Sequence, residues 1–385
     1  MQEAIIKKNF SNKKNILIIM FLVFGFISML ILWPKGASDG IKNALIICSG
    51  VVIPSLFPFM FISLFIINTG IAKAIGRIAA PITKFLFSLP GCAGAAIIMG
   101  LIGGYPVGAR IGGNLVRKKY MNEKELQRLL CISTSAGPAL LISAVGGAIL
   151  QNIKAGVILY AAQISVSVII GIFLGLFNKK NKNNNIIFDN NEKESLSDAF
   201  VNSVKDTATD MLYICGFILF FGALMGLFID SGFIGIFVDK CSPLLKVLNV
   251  HPQYMESLFK GFFEVTEGIL CAVTFNIEAL PFIGLLVGFG GLSVHFQIFA
   301  SLSDIKTSKL HFFISRIIHG ICTFFAVKLL LKIFPISTET FNSLSQKVNA
   351  QPFFSSMRAT IVFIVFCTIF LLSFPVKTLL NKKNK

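Results

Sequence analysis

Residues 92–116 read CAGAAIIMGLIGGYPVGARIGGNLV, and this stretch decides how the rest of the chain is interpreted. It is almost wholly apolar, yet it is crowded with glycine and contains Pro106. Lipid offers no hydrogen bonds to a broken backbone, so such a segment makes a poor lipid-facing helix. We predict that 92–116 is a re-entrant hairpin, which enters and leaves the membrane by the same side.

The composition places this hairpin in a polytopic helical membrane protein. Of 385 residues, 55% are hydrophobic and 14% are charged, and the mean hydropathy is +0.79. The apolar residues form blocks of about 18 to 25, long enough to cross about 30 Å of hydrocarbon. The net charge of +17 does not indicate nucleic acid, because the basic residues lie mainly between the apolar blocks. The eight cysteines include no C-x-x-C pair, so we expect neither a disulfide framework nor a zinc site.

The fold class predicted is all-α, with about eight transmembrane helices and two re-entrant hairpins. The second hairpin is 258–275, a short block that carries Glu264 and Glu267. A helix at the membrane interface is expected over 70–90, and a kink is expected at Pro54 and Pro58. The crossing helices are predicted at 16–33, 44–69, 129–150, 156–177, 208–229, 280–303, 310–331 and 357–377.

A polar stretch divides the chain into halves with the same order of elements. Residues 178–194 read NKKNKNNNIIFDNNEKE, a low-complexity linker. Between the halves, Gly103 to Gly108 corresponds in position to Phe262 to Gly268, and Ser133 to Pro138 corresponds to Gly288 to Ser293. The predicted domains are an N-terminal helix at 1–40, a first gate-like repeat at 41–177, a cytoplasmic linker at 178–205, a second repeat at 206–335, and a C-terminal helix with a basic tail at 336–385.

The distribution of basic residues predicts which side of the membrane each connecting segment lies on. Of the 35 Lys and Arg, 23 fall on predicted inner segments and 7 on outer ones, with both termini inside. Each half then crosses the membrane three times, so the two hairpins enter from opposite sides. This arrangement is an inverted repeat, the plan of many secondary transporters.

The motifs resemble a known family. Gly103 to Ala109, the Ser-Ala-Gly-Pro run ending at Pro138, Gly261 to Glu264, and Gly290 to Gln297 together resemble the YlbJ family of sporulation integral membrane proteins, also called SpoVV. That family is grouped with nucleoside recognition (gate-domain) membrane proteins, whose architecture is similar to that of concentrative nucleoside transporters. One departure is Ser133-Thr134-Ser135-Ala136, where the family leads us to expect asparagines.

The resemblance implies a function and a location. It implies a spore-forming source and a transporter that moves dipicolinic acid from the mother cell across the outer forespore membrane. The alternatives are a nucleoside or other small-solute transporter of the same fold, and a membrane scaffold for spore envelope assembly that transports nothing. No H-E-x-x-H, P-loop or G-x-S-x-G motif indicates an enzyme. The sequence leaves open whether a proton or sodium ion is coupled, and whether the chain forms a homo-oligomer.

Candidate substrate-binding residues lie in or next to the four motifs. Arg110 follows the first hairpin turn and suits a carboxylate; its alternatives are the interface or a hairpin carboxylate. Buried acids in a membrane are costly and usually functional, which singles out Glu264 and Glu267 for ion coupling or a structural ion pair. Arg316 and His319 share a helix face, with a cavity or a packing role equally open. The full set predicted to bind substrate is Gly104, Tyr105, Pro106, Gly108, Arg110, Ser133, Ser135, Glu264, Glu267, Ser293, His295 and Gln297.

Overall fold

The computed structural model describes residues 13–177, 195–248, 251–273 and 279–336, and within these ranges every regular element is a helix. The predicted last helix at 357–377 and the linker core at 178–194 lie outside the described residues. In chain order the helices are α1 Lys13–Leu32, α2 Pro34–Ile47, a π-helical turn Cys48–Val52, α3 Ile53–Asn68, α4 Ile71–Phe87, α5 Ala93–Gly103, α6 Tyr105–Arg117, α7 Glu123–Ser133, the π-helical α8 Ala139–Ile149, α9 Ile153–Leu176, α10 Leu196–Asp230, α11 Phe233–Leu248, α12 Pro252–Phe263, α13 Val265–Ala272, α14 Leu280–Phe289, α15 Gly291–Ser301 and α16 Lys309–Ile333.

The segment predicted as a helix over 44–69 is longer than expected and is irregular where the prolines indicate. It begins at Pro34 and runs through a π-helical turn just before Pro54. Proline has no N–H, so a helix that contains it leaves a carbonyl free. The Ser55 hydroxyl donates to the Val51 carbonyl at 2.6 Å, which satisfies one backbone oxygen beside this irregularity.

Small residues bring α2 and α10 into direct backbone contact. A Cβ at Gly40 would lie 2.1 Å from the Gly222 carbonyl oxygen, and one at Gly226 would lie 2.0 Å from the Gly36 carbonyl oxygen. Only glycine permits this approach, which is the small-residue packing typical of membrane helices. The Gly36 N–H also donates to the Asp230 carboxylate at 3.0 Å, at the end of the same seam.

Four segments that the sequence presents as apolar blocks are pairs of short helices. Residues 92–116 break at Gly104, and 258–275 break at Glu264. The prediction of a single helix at 129–150 and at 280–303 is wrong. The first segment breaks between Ser133 and Ala139, and the second breaks at Gly290. Each half therefore contains two broken helices followed by one long unbroken helix, α9 or α16.

The helix predicted at 208–229 begins earlier, at Leu196, and so overlaps the segment assigned to the linker at 178–205. Ser195 caps it: its hydroxyl accepts from the Asp198 N–H at 3.1 Å and donates to the Asp198 carboxylate at 2.6 Å. Such a cap stabilises the first turn of a helix even where the composition is polar.

Five helical segments in the described ranges are long and apolar enough to cross a membrane: Pro34–Asn68, Ile153–Leu176, Leu196–Asp230, Leu280–Ser301 and Lys309–Ile333. Ile16–Leu32 is a shorter apolar helix. The number of eight crossings and the inversion of the repeat stay predictions. Two contacts agree with the threading: Arg117 pairs with Asp304 where both are predicted inside, and Gly36 bonds Asp230 where both are predicted outside.

Replacing Gly226 with alanine is expected to destabilise the protein, because the new Cβ collides with the Gly36 backbone. Overpacking of this kind costs about 1–3 kcal/mol. Gly216→Ala, in the same helix with open space around it, is the matched control and should be neutral or slightly stabilising. Thermal unfolding of the two purified variants in detergent measures the difference, and equal melting temperatures would contradict the packing.

Single cysteines in a cysteine-free background should report the threading. A thiol reagent that does not cross membranes is expected to modify Lys124→Cys and Lys306→Cys from the cytoplasmic side, and Lys154→Cys and Lys240→Cys from the opposite side. All four positions are exposed. Modification of all four from one side would refute the inverted threading.

Candidate functional site

The four helix breaks meet at one place in the interior. A Cβ on Gly104 would lie 3.3 Å from the Gly137 nitrogen, so the first two breaks touch. A Cβ on Gly291 would lie 3.1 Å from the Val265 nitrogen, so the other two breaks touch as well. Tyr105 packs against Gly290 and joins the two pairs. Gly104, Gly290 and Gly291 have positive φ angles of 88°, 88° and 73°, which glycine adopts without strain.

A partly open cavity lies beside this intersection, with about 530 Å³ of space between its wall atoms, including space open to solvent. Its wall is mainly apolar, with polar groups contributed by Tyr105, Glu264, Thr266 and Gln297. The lining residues are Val52, Leu56, Met60, Gly103, Gly104, Tyr105, Pro106, Gly137, Leu140, Ile214, Ile218, Glu264, Val265, Thr266, Val294 and Gln297. A mostly apolar pocket with a few convergent polar groups is typical of small-molecule sites.

Glu264 is the charged residue in this wall, and it is 3% exposed. It stands at the break between α12 and α13 and caps α13: its carboxylate accepts from the Glu267 N–H at 2.9 Å and from the Thr266 hydroxyl at 3.3 Å. The N-terminal end of a helix favours a negative charge at this position. The side chain therefore has a structural role as a cap and also faces the cavity.

Tyr105 and Arg316 bind the C-terminal end of α14. The Tyr105 hydroxyl donates to the Val287 carbonyl, and the Arg316 guanidinium donates to the Gly288 carbonyl. The last carbonyls of a helix have no partner within it and carry partial negative charge, so a hydroxyl and a cation stabilise them. Arg316 is 1% exposed.

A chain of buried hydroxyls and one imidazole extends from the second break. Ser135 bonds Ser167 at 2.7 Å, Ser167 bonds His319 Nε2 at 3.0 Å, and Thr323 lies 3.3 Å from His319 Nδ1. All four side chains are buried. The chain ties the second break to α9 and α16.

Arg110 does not line the cavity but pairs with two acids on α10, Asp206 and Asp210. These acids share one face of α10 with Ile214 and Ile218, because the four residues are spaced four apart. The isoleucines line the cavity, so the ion pair lies on the same face of α10 as the cavity wall, one turn closer to the N-terminal end of the helix. We call Arg110, Asp206 and Asp210 the ionic clamp.

A second ion pair fixes the other end of α6. Arg117 donates to both oxygens of Asp304 at 2.9 and 2.7 Å, and to the Ser301 carbonyl at 2.9 Å. The guanidinium lowers the pKa of the Asp304 carboxyl below its ordinary value, so this pair stays ionised near neutral pH.

Five of the twelve predicted residues line the cavity: Gly104, Tyr105, Pro106, Glu264 and Gln297. The other seven do not. Gly108 packs on Ser133, Ser135 bonds Ser167, Ser293 bonds Gln297, and Glu267 donates its N–H to Glu264. His295 and Gln297 lie on different faces because the segment is helical.

Sequence reasoning missed Asp206, Asp210 and Thr266. The two aspartates come directly after the predicted linker at 178–205, in a polar stretch where charge is expected to be solvated. Their spacing of four, in register with Ile214 and Ile218, was the available indication that they continue a helix face. Thr266 lies inside a quoted motif, but nothing in the sequence distinguished it from its neighbours.

Comparison with known proteins confirms the family resemblance. The model of the Gate family, described as "Nucleoside recognition", matches residues 50–155. The Sporulation integral membrane protein YlbJ of Bacillus subtilis (strain 168) is 25% identical over 345 residues, which cover 84% of each chain. No solved structure gives a significant match. The matched Gate region contains the first two helix breaks.

Breaking the ionic clamp is expected to separate α6 from α10 next to the cavity. Ile214 is 5% exposed, so Ile214→Cys should react slowly with a thiol reagent. Arg110→Asp should speed its modification from the α10 N-terminal side about tenfold if the closed state loses about 1.4 kcal/mol.

The charge swap Arg110→Asp with Asp210→Arg should slow the modification again. Asp39→Asn, which removes an exposed pair with Lys42 within one helix, is the control and should have no effect. If Ile214→Cys reacts as fast in the charge-swapped protein as with Arg110→Asp alone, the clamp does not hold α6 against α10.

Proposed function

We propose that this chain is a multi-pass membrane transporter for a small organic anion, dipicolinate, carried from the mother cell across the outer forespore membrane during sporulation. The observation that carries the proposal of transport is the meeting of four helix breaks beside one internal cavity. Irregular backbone at membrane depth is tolerated where it is buried in protein or lines a watery cavity, and broken helices form the sites of many transporters.

The substrate follows from other evidence. The similar Bacillus protein is a sporulation protein by name, and the motif resemblance implies dipicolinate. Dipicolinate is a flat aromatic dianion, so a site for it needs donors for two carboxylates and an apolar slot for the ring. Tyr105, Pro106 and the apolar cavity wall supply the slot.

A nucleoside is the second candidate substrate. The description of the Gate family and the trio of Glu264, Thr266 and Gln297 on the cavity wall favour it, because carboxylate, hydroxyl and amide groups suit the hydroxyls and ring nitrogens of a neutral solute. Glu264 is also the residue we propose for a coupled proton or sodium ion, since a buried acid in a membrane is costly unless it has such a role.

Purified protein in vesicles should accumulate dipicolinate and not uridine. Uptake is measured with radiolabelled solute in vesicles with and without an inward proton or sodium gradient. Uridine uptake without dipicolinate uptake would establish the second candidate instead.

Deletion of the gene in its native host should leave dipicolinate in the mother cell and deplete it in spores. Normal spore dipicolinate, with synthesis intact and no second copy of the gene, would refute the proposed substrate. A scaffold would restore the deletion strain even when Glu264→Gln is introduced, provided that the variant reaches the membrane. A transporter that uses this carboxyl would not.

A further inference from the structure

We infer that Arg316 and His295 form the site that binds the carboxylate of a small aromatic acid. The inference deepens the proposed function and rests on it, since it assigns one end of the transported anion to named side chains. It also replaces Arg110, the cation that the sequence favoured, with a cation that has no acidic partner among the described residues.

Arg316 carries a buried charge that no acidic side chain neutralises in the described ranges, and only the partial negative charge at the end of α14 offsets it. It is 1% exposed, and it forms no ion pair within the part of the chain that the structure describes. Its Nη2 donates to the Gly288 carbonyl, and its Nη1 has no hydrogen-bond partner among the described residues. Arg110 and Arg117, by contrast, are matched by aspartates. An unpaired buried charge is costly, so a mobile anion is the expected counterpart.

His295 adds a second open group beside it. It is 2% exposed, and its ring packs on Phe312 and Phe313, which lie one helical turn before Arg316 on α16. Neither ring nitrogen forms a hydrogen bond of normal geometry in the described ranges, although the Gly291 backbone is close enough to interact. A neutral imidazole offers one N–H donor, which a carboxylate oxygen accepts.

The surroundings fit an aromatic acid better than a small inorganic ion. The rings of Phe289, Phe312 and Phe313 lie 4.9, 5.2 and 5.6 Å from the His295 ring, centre to centre. Aromatic side chains at such distances stack on or stand edge-on to another ring. α15 also begins here at Gly290 without a side-chain cap, so its first N–H groups add partial positive charge.

Tyr105 separates this site from the cavity. Its ring packs on Gly290 and lines the cavity wall, and its hydroxyl donates to the Val287 carbonyl, next to the Gly288 carbonyl that Arg316 binds. α15 lies between the two: Val294 and Gln297 line the cavity, and His295 packs against the aromatic group. The inference requires Tyr105 to move so that the cavity reaches the Arg316 site.

Arg128 provides a matched control for the structural role of Arg316. It too donates to helix-terminal carbonyls, those of Phe87 and Ser88 at 3.3 and 3.0 Å, but it is only partly buried and lies away from the aromatic group. If Arg316 serves only to cap α14, Arg316→Gln and Arg128→Gln should both lower stability and leave anion binding unchanged.

The test is calorimetric binding of dipicolinate to the purified full-length protein, with the uncharged diamide of the same acid as the comparison. We expect Arg316→Gln to weaken dipicolinate binding roughly 30-fold or more and to remove the preference over the diamide. Arg316→Lys should weaken dipicolinate binding less than Arg316→Gln does, because lysine keeps the positive charge. Some weakening is still expected, because lysine lacks the paired N–H donors of the guanidinium. His295→Gln should weaken it several-fold, and Arg128→Gln should leave it unchanged.

Unchanged dissociation constants in folded Arg316→Lys and His295→Gln would overturn the inference even if Arg316→Gln does not fold. Chloride or phosphate that displaces dipicolinate at equal concentration would overturn the assignment to an aromatic acid. Vesicle uptake by the same variants separates the two proposals. If Arg316→Lys and Arg316→Gln take up dipicolinate as the wild type does, this binding site is refuted and transport is not. If the wild type shows no uptake but binds dipicolinate in a way that depends on Arg316, transport is refuted and the site is not.

Discussion

A backbone group that leaves a helix inside a membrane must find a partner within the protein, and the interior of this chain is arranged around that constraint. The four breaks occur together rather than scattered along the spans, because each break lies against another or is capped by a side chain. Glu264 caps α13, Tyr105 and Arg316 serve the end of α14, and Gly104 lies against Gly137. The cavity beside them is a consequence of the same clustering, since helices that end inside the protein leave space that continuous helices would fill.

Glycine makes the clustering possible, and it also explains which parts of the fold could be predicted. All four breaks lie within the motifs of the sequence, but only the segments that contain Gly104 and Glu264 were predicted to be broken, and the segment around Gly290 was predicted as a single helix. The break at Ser133 spans three hydroxyl residues and then Ala136, Gly137 and Pro138, in an otherwise apolar run whose periodicity alone does not distinguish it from a continuous helix. The early start of α10 was hidden because composition indicated a linker, whereas the single cap at Ser195 decides the helix boundary.

Part of the cavity wall was predictable from the sequence, but the partners of the buried and half-buried arginines were not. The sequence shows that Arg110 and Arg316 both lie in apolar surroundings, but it does not show that Asp206 and Asp210 reach Arg110 across about a hundred residues. Partners of this kind depend on how helices pack, which hydrophobic periodicity does not specify. Glu264 was easier to identify, because an acid inside an apolar block is rare and costly wherever its partners lie.

The contacts of α6 have a further meaning for how the molecule could move. This helix belongs by sequence to the first half, yet Tyr105, Arg110 and Arg117 all bind groups of the second half, namely Val287, the two α10 aspartates and Asp304. Its ion pairs and hydrogen bonds therefore attach α6 to the second half of the chain. The rigid bodies of the protein therefore need not coincide with its sequence repeats, and a hinge placed at Gly104 would separate α5 from α6 rather than one half from the other.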